Sequence, residues 1–436
     1  MLTAGPQRPA PVRWQLSGHA RRLVTVALAG LLIAVLTRRA EFAGLAAPAL
    51  LLLAPWHRDR PATVGLALAV ADEQVTEGEE ATVLAQVTGH GDYSVRARLL
   101  AEDWISAGAA TLAGDGWFRL PFRTERWGIW PVGTLELVLS DRWRLAEGRL
   151  AVSLPRVTCY PRAARLDSLV VLAKLPARLG EHAARAAGDG TEFAGVREFV
   201  PGDRQRRINW AATTRRGTLQ LNTFAAERAQ VVVVLMDVSV DVGQAGASSV
   251  DLAVRGAAGA ASAYLAARDR VGLISQGQQI RWIAPGVGQR QAHRIIDLML
   301  VDRGDGTRID GVGQLPRAAL PPGALIMVFS PLLSLHLVDT LRELRERGHA
   351  VLVVDVLCAE PELGQIRVRG RGGGLGGGLG RNRYVTELAT RVWRMEQQAI
   401  RFSLRELGIP VVHWDGVRAL DEPLAPYTRR VMVSGR

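Results

Sequence analysis

Two apolar runs near the start of the chain limit its fold more than any other stretch. Residues 23–37 (LVTVALAGLLIAVLT) and 42–56 (FAGLAAPALLLLAPW) carry no charge, and Arg38, Arg39 and Glu41 interrupt them. Inside a bilayer a chain must satisfy its own backbone polar groups, so runs of this kind cross as helices. Each is shorter than the ~20 residues that span comfortably, but flanking arginines can snorkel and lengthen the span. A secretory signal is one alternative for the first run, although a second apolar run follows with no clear cleavage site between them. Buried core helices are another. Bracketing by arginines at each end favours a transmembrane hairpin over residues 23–56. Pro48 kinks the second run without excluding it. A hairpin returns the chain to its starting side. The basic tail, residues 1–22 with Arg8, Arg13, Arg21 and Arg22, argues that this side is the cytoplasm; Arg38 and Arg39 in the outer loop argue the other way. The expectation is a two-helix membrane protein with the bulk of its chain cytoplasmic.

The 436 residues suffice for two or three domains. The net charge of +12 raises nucleic acid or an anionic membrane surface as partners. Yet Lys174 is the only lysine, and the arginines are spread and interleaved with acids. That pattern fits the codon bias of a GC-rich genome better than a basic binding patch. Two cysteines, Cys159 and Cys358, make neither a disulfide framework nor a metal cluster; both sit in apolar surroundings and are expected in cores.

Residues 62–160 alternate in short apolar segments separated by Gly/Asp turns, which predicts an all-β, sandwich-like spacer. Its tryptophans (Trp104, Trp117, Trp127, Trp130 and Trp143) are expected as core and edge cover. From residue 229 to 436 strand-like runs alternate with helical ones, predicting a doubly wound α/β domain. Its first strand, 229–238 (AQVVVVLMDV), is apolar throughout, as in a central parallel strand covered on both faces. The Gly-rich stretch 364–383 interrupts the domain as a surface loop; its formal G-x-G-x-x-G does not open a helix directly after a strand.

Between spacer and α/β domain, residues 190–224 are dense in polar residues. Gly190, Phe193, Arg197 and Glu198 precede a Pro201-Gly202-Asp203 turn of type II composition. Arg206-Arg207, Asn209-Trp210 and Arg215-Arg216 follow. Six arginines face Glu192, Glu198 and Asp203, an excess of only +3, and Trp210 is expected to be packed. At the end of the first α/β strand, Asp237, Ser239 and Asp241 offer hard oxygen donors suited to Mg2+, with Thr307 as a further hydroxyl. The alternative is that these side chains cap the next helix.

The signature G-x-x-F-x-G-x-R-E-x-x-P-G-D followed by I-N-W-x-x-x-x-R resembles that of the domain-of-unknown-function 58 family, and the likeness extends over almost the whole chain. It implies a membrane hairpin, a β-rich spacer and a domain similar to the von Willebrand factor type A fold. It also implies a partner, a MoxR-type AAA+ ATPase. Two departures stand out. Asn209 occupies a place where the family usually has Asp. The type A metal motif, Asp-x-Ser-x-Ser with a distant Thr and a distant Asp, is met by Asp237, Ser239 and Thr307. Asp241 replaces the second Ser, and Ser330 stands where the distant Asp is expected.

No P-loop lysine and no H-E-x-x-H exist in the sequence, and no histidine has a catalytic partner at obvious spacing. The reading is a non-enzymatic membrane adaptor or scaffold, its 186–226 segment locking spacer to α/β domain through half-buried Arg197 and Arg215 paired with Glu198 and Asp203. The alternatives are a metal-dependent hydrolase of envelope material and an arginine-rich nucleic-acid-binding membrane protein.

Overall fold

The computed structural model describes residues 7–54, 60–71, 74–113, 116–170, 175, 187–188, 192–200, 205, 208–225, 230–277, 279–301, 315–359 and 383–430. The chain divides into two compact units, Met1–Arg162 and Ala163–Arg436.

In the first unit, alternation builds two antiparallel sheets around one apolar core. One sheet runs in the order Arg8–Pro11, Thr63–Val70, Glu80–Thr88, Trp117–Thr124, Ile105–Ala107, with Thr111–Leu112 also on Trp117–Thr124. The other runs Arg13–Leu16, Ala146–Ser153, Gly133–Ser140, Ser94–Ala101. Glu80–Thr88 alternates in burial along its whole length. Val83, Leu120 and Phe122 from the first sheet share a core with Leu135, Leu137 and Leu139 from the second, the inward/outward division expected of a sandwich. A small third sheet joins Gly128–Pro131, Arg156–Tyr160 and Gln74–Thr76. Sequence periodicity alone runs residues 130–139 together as one strand. The structure breaks them at Val132, just before Gly133, whose φ of 122° and close approach to the Leu100 carbonyl exclude a Cβ.

The basic tail differs from its expected form. Residues 8–16 are not a free arm: Arg8–Pro11 pairs with Thr63–Val70, and Arg13–Leu16 pairs with Ala146–Ser153. Alternating burial at Ala10 and Val12 drives this, since both join the apolar core. Between these strands the chain makes its apolar excursion. Ser17 caps the Gly18–Thr37 helix by accepting from the Ala20 amide at 3.0 Å. At 20 residues this helix is long and apolar enough to cross a membrane. The second run is not a matching helix. It forms a 3-10 segment, Ala40–Leu45, and a seven-residue helix, Ala47–Leu53, which spans only about 10 Å at 1.5 Å per residue. Ala27 packs against Ala46 and Ala49, small side chains that let backbones approach closely.

The second unit is organised around a six-stranded sheet in the order Ile280–Gly286, Arg270–Gln276, Val231–Asp237, Leu325–Ser330, Ala350–Asp355, Val411–His413. All neighbours are parallel except the antiparallel edge strand Ile280–Gly286. Val233, Leu235, Val328 and Val353 face the Leu335–Glu346 helix through Leu337 and Leu341, and the Arg383–Glu406 helix through Leu404. On the other face lies the Ser249–Ala266 helix; Gly256 lets it settle onto the Phe329 ring where a Cβ would collide. Ser248 and Asp251 close a capping box at its start. Chain order reverses between Val231–Asp237 and Leu325–Ser330, the position where open α/β sheets leave a crevice at their carboxyl ends. The Gly-rich stretch 364–383 lies outside the described residues, apart from Arg383, which opens a helix.

Candidate functional site

Strand registration brings five polar side chains to the carboxyl ends of the sheet. Gln276 is level with Asp237, Ser330 with Asp355, and Asp355 with His413. Asp237, Ser330 and Asp355 are almost completely buried. Asp237 is tied by three donors: its Oδ1 accepts from the Ser239 amide at 3.1 Å and the Ser239 hydroxyl at 2.5 Å, and its Oδ2 accepts from the Ser330 hydroxyl at 2.7 Å. Ser330 Oγ in turn accepts from the Leu332 amide at 2.9 Å. Burial pushes the Asp237 carboxyl above its ordinary range, and the bonds from Ser239 and Ser330 only partly oppose it.

Asp355 is the second buried acid. Its Oδ2 lies 2.7 Å from the Arg401 guanidinium and 3.9 Å from His413 Nδ1, and its Oδ1 accepts from the Leu357 amide at 3.0 Å. Burial raises this carboxyl too, with Arg401 the chief opposing influence. His413 sits at the sheet edge with 57% of its side chain exposed, an edge histidine as its place on the last strand suggests.

In the loop beyond Asp237, Asp241 accepts from the Val250 amide at 3.3 Å, close to the helix start, so it already serves a cap-like role. The oxygen-only character of Asp237, Ser239, Asp241 and Ser330 suits Mg2+ in kind. In number it falls short. Asp237 is the one carboxylate at the centre, both its oxygens take protein donors, and no group of three or more acids, histidines or cysteines gathers among the described residues. The set does not complete a cation shell, and no step is routed through a metal. Thr307 lies outside the described residues.

The polar segment 190–224 folds as its own three-stranded antiparallel sheet, Ala187–Gly188, Gln220–Ala225, Glu192–Glu198, with Phe193 paired to Phe224 along the backbone. The helix Trp210–Arg216 follows Asn209, which caps it: Asn209 Oδ1 accepts from the Ala212 amide at 2.9 Å, and its Nδ2 donates to Asn222 Oδ1 at 2.8 Å. Asn is as good an N-cap as Asp, so the position keeps its structural task without a charge. Three expectations for this segment are corrected. Trp210 is 68% exposed, because a seven-residue helix that buries no side chain cannot hide its first residue. Arg215 is exposed in the last turn, where its charge meets the negative helix end. Arg197 is exposed as well and donates to the Glu198 backbone carbonyl at 3.0 Å, and Glu198 is itself exposed. Gly190, Pro201, Gly202 and Asp203 lie outside the described residues. Of the cysteines, Cys159 is buried but Cys358 is exposed, its thiol against the Val242 carbonyl at 3.1 Å.

Sequence reasoning reached Asp237 and Ser239 but missed Asp355 and Arg401, and treated Ser330 only as a lost ligand. Asp355 ends an apolar β-branched run (AVLVVD) just as Asp237 ends its own; that parallel was the available signal. Nothing local marks Arg401, which reaches the site from a helix.

Against this geometry stand the comparisons. The family model described as protein of unknown function DUF58 matches residues 195–375. The match takes in Asp237, Ser239, Ser330 and Asp355. Uncharacterized proteins of Mycobacterium bovis (Mb1516) and Mycobacterium tuberculosis (Rv1480) are each 29% identical over 204 residues, covering 45% of this chain. The chain spans 64% of the length of these curated relatives. Among solved structures, the Escherichia coli adhesin FdeC aligns with 24% of this chain and 34% of its own at 19% identity, with a TM-score of 0.15; likeness at that level carries no argument.

Proposed function

We propose that the chain is a membrane-anchored, non-enzymatic adaptor. Its α/β unit is similar to the von Willebrand factor type A fold and presents the carboxyl ends of its strands to a protein partner, a MoxR-type AAA+ ATPase. The observation that carries this reading is the buried Asp237, locked by Ser239 and Ser330 where the strand order reverses. A carboxylate fixed by three donors is suited to organising the loop 238–248 as a rigid contact surface. Its complete burial and its bonds to Ser239 and Ser330 favour a structural task over proton exchange with a substrate. The exposed Trp210 beside Arg215 and Arg216 supports a second contact region, since Trp and Arg dominate interface hot spots.

An anchor that returns to its starting side, as a hairpin does, has independent support even though its return leg is only the segment of residues 40–53. Residues 8–16 and 63–70 are strands of the same β unit. Both ends of the apolar excursion therefore belong on one side of any membrane it enters. A single span separates them; a hairpin does not. The basic residues at the membrane edge favour the cytoplasm for that side. In sealed inverted vesicles of a Cys358→Ser background, Arg8→Cys and Asp92→Cys are both expected to react with an impermeant maleimide. Labelling of one but not the other contradicts the hairpin.

The adaptor reading is tested by capture of the MoxR-type ATPase from the same genome on the full chain in detergent. Retention is expected without any dependence on Mg2+ bound by this chain. If the exposed arginines instead held nucleic acid, random DNA would bind with a steep salt dependence.

A further inference from the structure

The Arg383–Glu406 helix carries apolar residues on two opposite faces. Trp393, Gln397 and Leu404 are buried and Ile400 packs on the core, which fixes the inner face. On the outer face Leu388, Val392, Met395 and Phe402 are 52%, 48%, 63% and 64% exposed, and Ala399 is exposed between them. These five residues follow one another at intervals of four, three, four and three. That is the d-a-d-a-d pattern of a coiled-coil seam, continued for more than two heptads on a face left exposed by the described residues. An ordinary surface helix has one apolar stripe, turned to its core.

The charges beside the seam decide what covers it. In this register Arg391 and Gln398 occupy g positions, and Glu396 and Ser403 occupy e positions; Arg391 and Glu396 are exposed. In a parallel pair each g residue reaches the e residue five places on in the other helix. Arg391 then meets Glu396 of the second copy, and two-fold symmetry supplies the contact twice. Gln398 meets Ser403, polar and uncharged. An antiparallel pair would set g against g and e against e, bringing Arg391 toward Gln398 or Arg405 and leaving Glu396 with Ala389, Ser403 or another Glu396.

We infer that this helix is a self-association surface: two copies of the chain pair in parallel along Leu388, Val392, Met395, Ala399 and Phe402, with Arg391–Glu396 ion pairs on both flanks. The inference does not rest on the adaptor reading or on any partner ATPase.

The test uses the full-length chain in detergent, with Cys358→Ser to remove the exposed native thiol. A parallel seam stacks a on a and d on d, so Met395→Cys and Ala399→Cys are each expected to form a covalent dimer on mild oxidation. Gln289→Cys, exposed on another helix, is expected to stay monomeric. Arg391→Glu and Glu396→Arg each turn attraction into repulsion and are expected to weaken self-association roughly tenfold. The double exchange R391E/E396R is expected to restore it. All these positions are exposed, so the variants leave the fold intact. A monomeric full-length chain overturns the inference, as does a seam covered by the chain's own 360–382 segment or by a different protein, since neither gives self-cross-links. So does a dimer indifferent to the charge exchange.

Discussion

The two units keep different interiors. The β unit fills its core with Val83, Leu120, Phe122, Leu135, Leu137 and Leu139; among its buried polar groups Cys159 donates to Thr124 at 3.2 Å, and its buried acid Glu77 accepts from the Arg162 amide at 3.4 Å. The α/β unit is just as apolar along the length of its strands, but at their carboxyl ends it buries two aspartates. Burying a carboxylate is costly unless it is bonded or paired. Asp237 is held by serines and Asp355 by Arg401, two different answers to one problem at the same end of the sheet, on strands separated only by Leu325–Ser330. The contrast is one of place: the α/β unit gathers its two buried acids at the strand ends beside the point where strand order reverses, which is where function is to be sought in such sheets.

The sharpest way to break that contrast is to overload the polar end. Ser330→Asp sets a second carboxylate against Asp237 with nothing to neutralise it. Thermal unfolding in EDTA is expected to show a loss of about 3–5 kcal/mol, the scale of an uncompensated buried charge. Added Mg2+ is expected to return much of this loss while leaving the wild type unmoved. Stabilisation of the wild type by Mg2+ would show that its donor set is already complete. On the other side of the comparison, Leu137→Ala leaves a cavity in the β core and is expected to cost about 2–5 kcal/mol in chemical denaturation. A much smaller loss would mean that this core is less tightly packed than its zero exposure implies.

The pH dependence is a smaller effect with a definite sign. Because burial raises the folded-state value of Asp237, the folded chain binds more protons than the unfolded one just above the ordinary carboxylate range. Its contribution to stability is therefore complete below about pH 4 and declines as pH rises through the raised value. Asp237→Asn removes that decline. The difference in unfolding free energy between wild type and variant is expected to shift against the wild type as pH rises; a shift in the opposite direction would show a depressed carboxyl.

Much of the architecture was legible because strong periodicities left little choice. The continuous run ending in Asp237 could only be a doubly covered strand, and the alternation in residues 80–88 only a half-buried one. What sequence could not show was pairing at a distance. Nothing in residues 8–16 announces that they complete sheets begun more than 50 positions later, since two four-residue strands carry too little pattern to distinguish them from a tail. Trp210 misled for the opposite reason: tryptophan is usually well buried, but a seven-residue helix offers it no cover. The site was half legible. Asp237-x-Ser239 is local, whereas the bond from Ser330 spans 93 residues and the Arg401–Asp355 pair depends on how a helix settles on the sheet.

On the proposed function the strand ends of the α/β unit are a rigid protein-contact surface and not a catalytic centre. Capture of the MoxR-type ATPase by the full chain, compared between wild type and Asp241→Arg in the loop 238–248, puts this to the test. Asp241 is only half buried, so an unchanged circular dichroism spectrum and unfolding midpoint can confirm that the variant folds. The expected result is retention by the wild type and loss by the variant. Equal retention by both, or by neither, contradicts the claim.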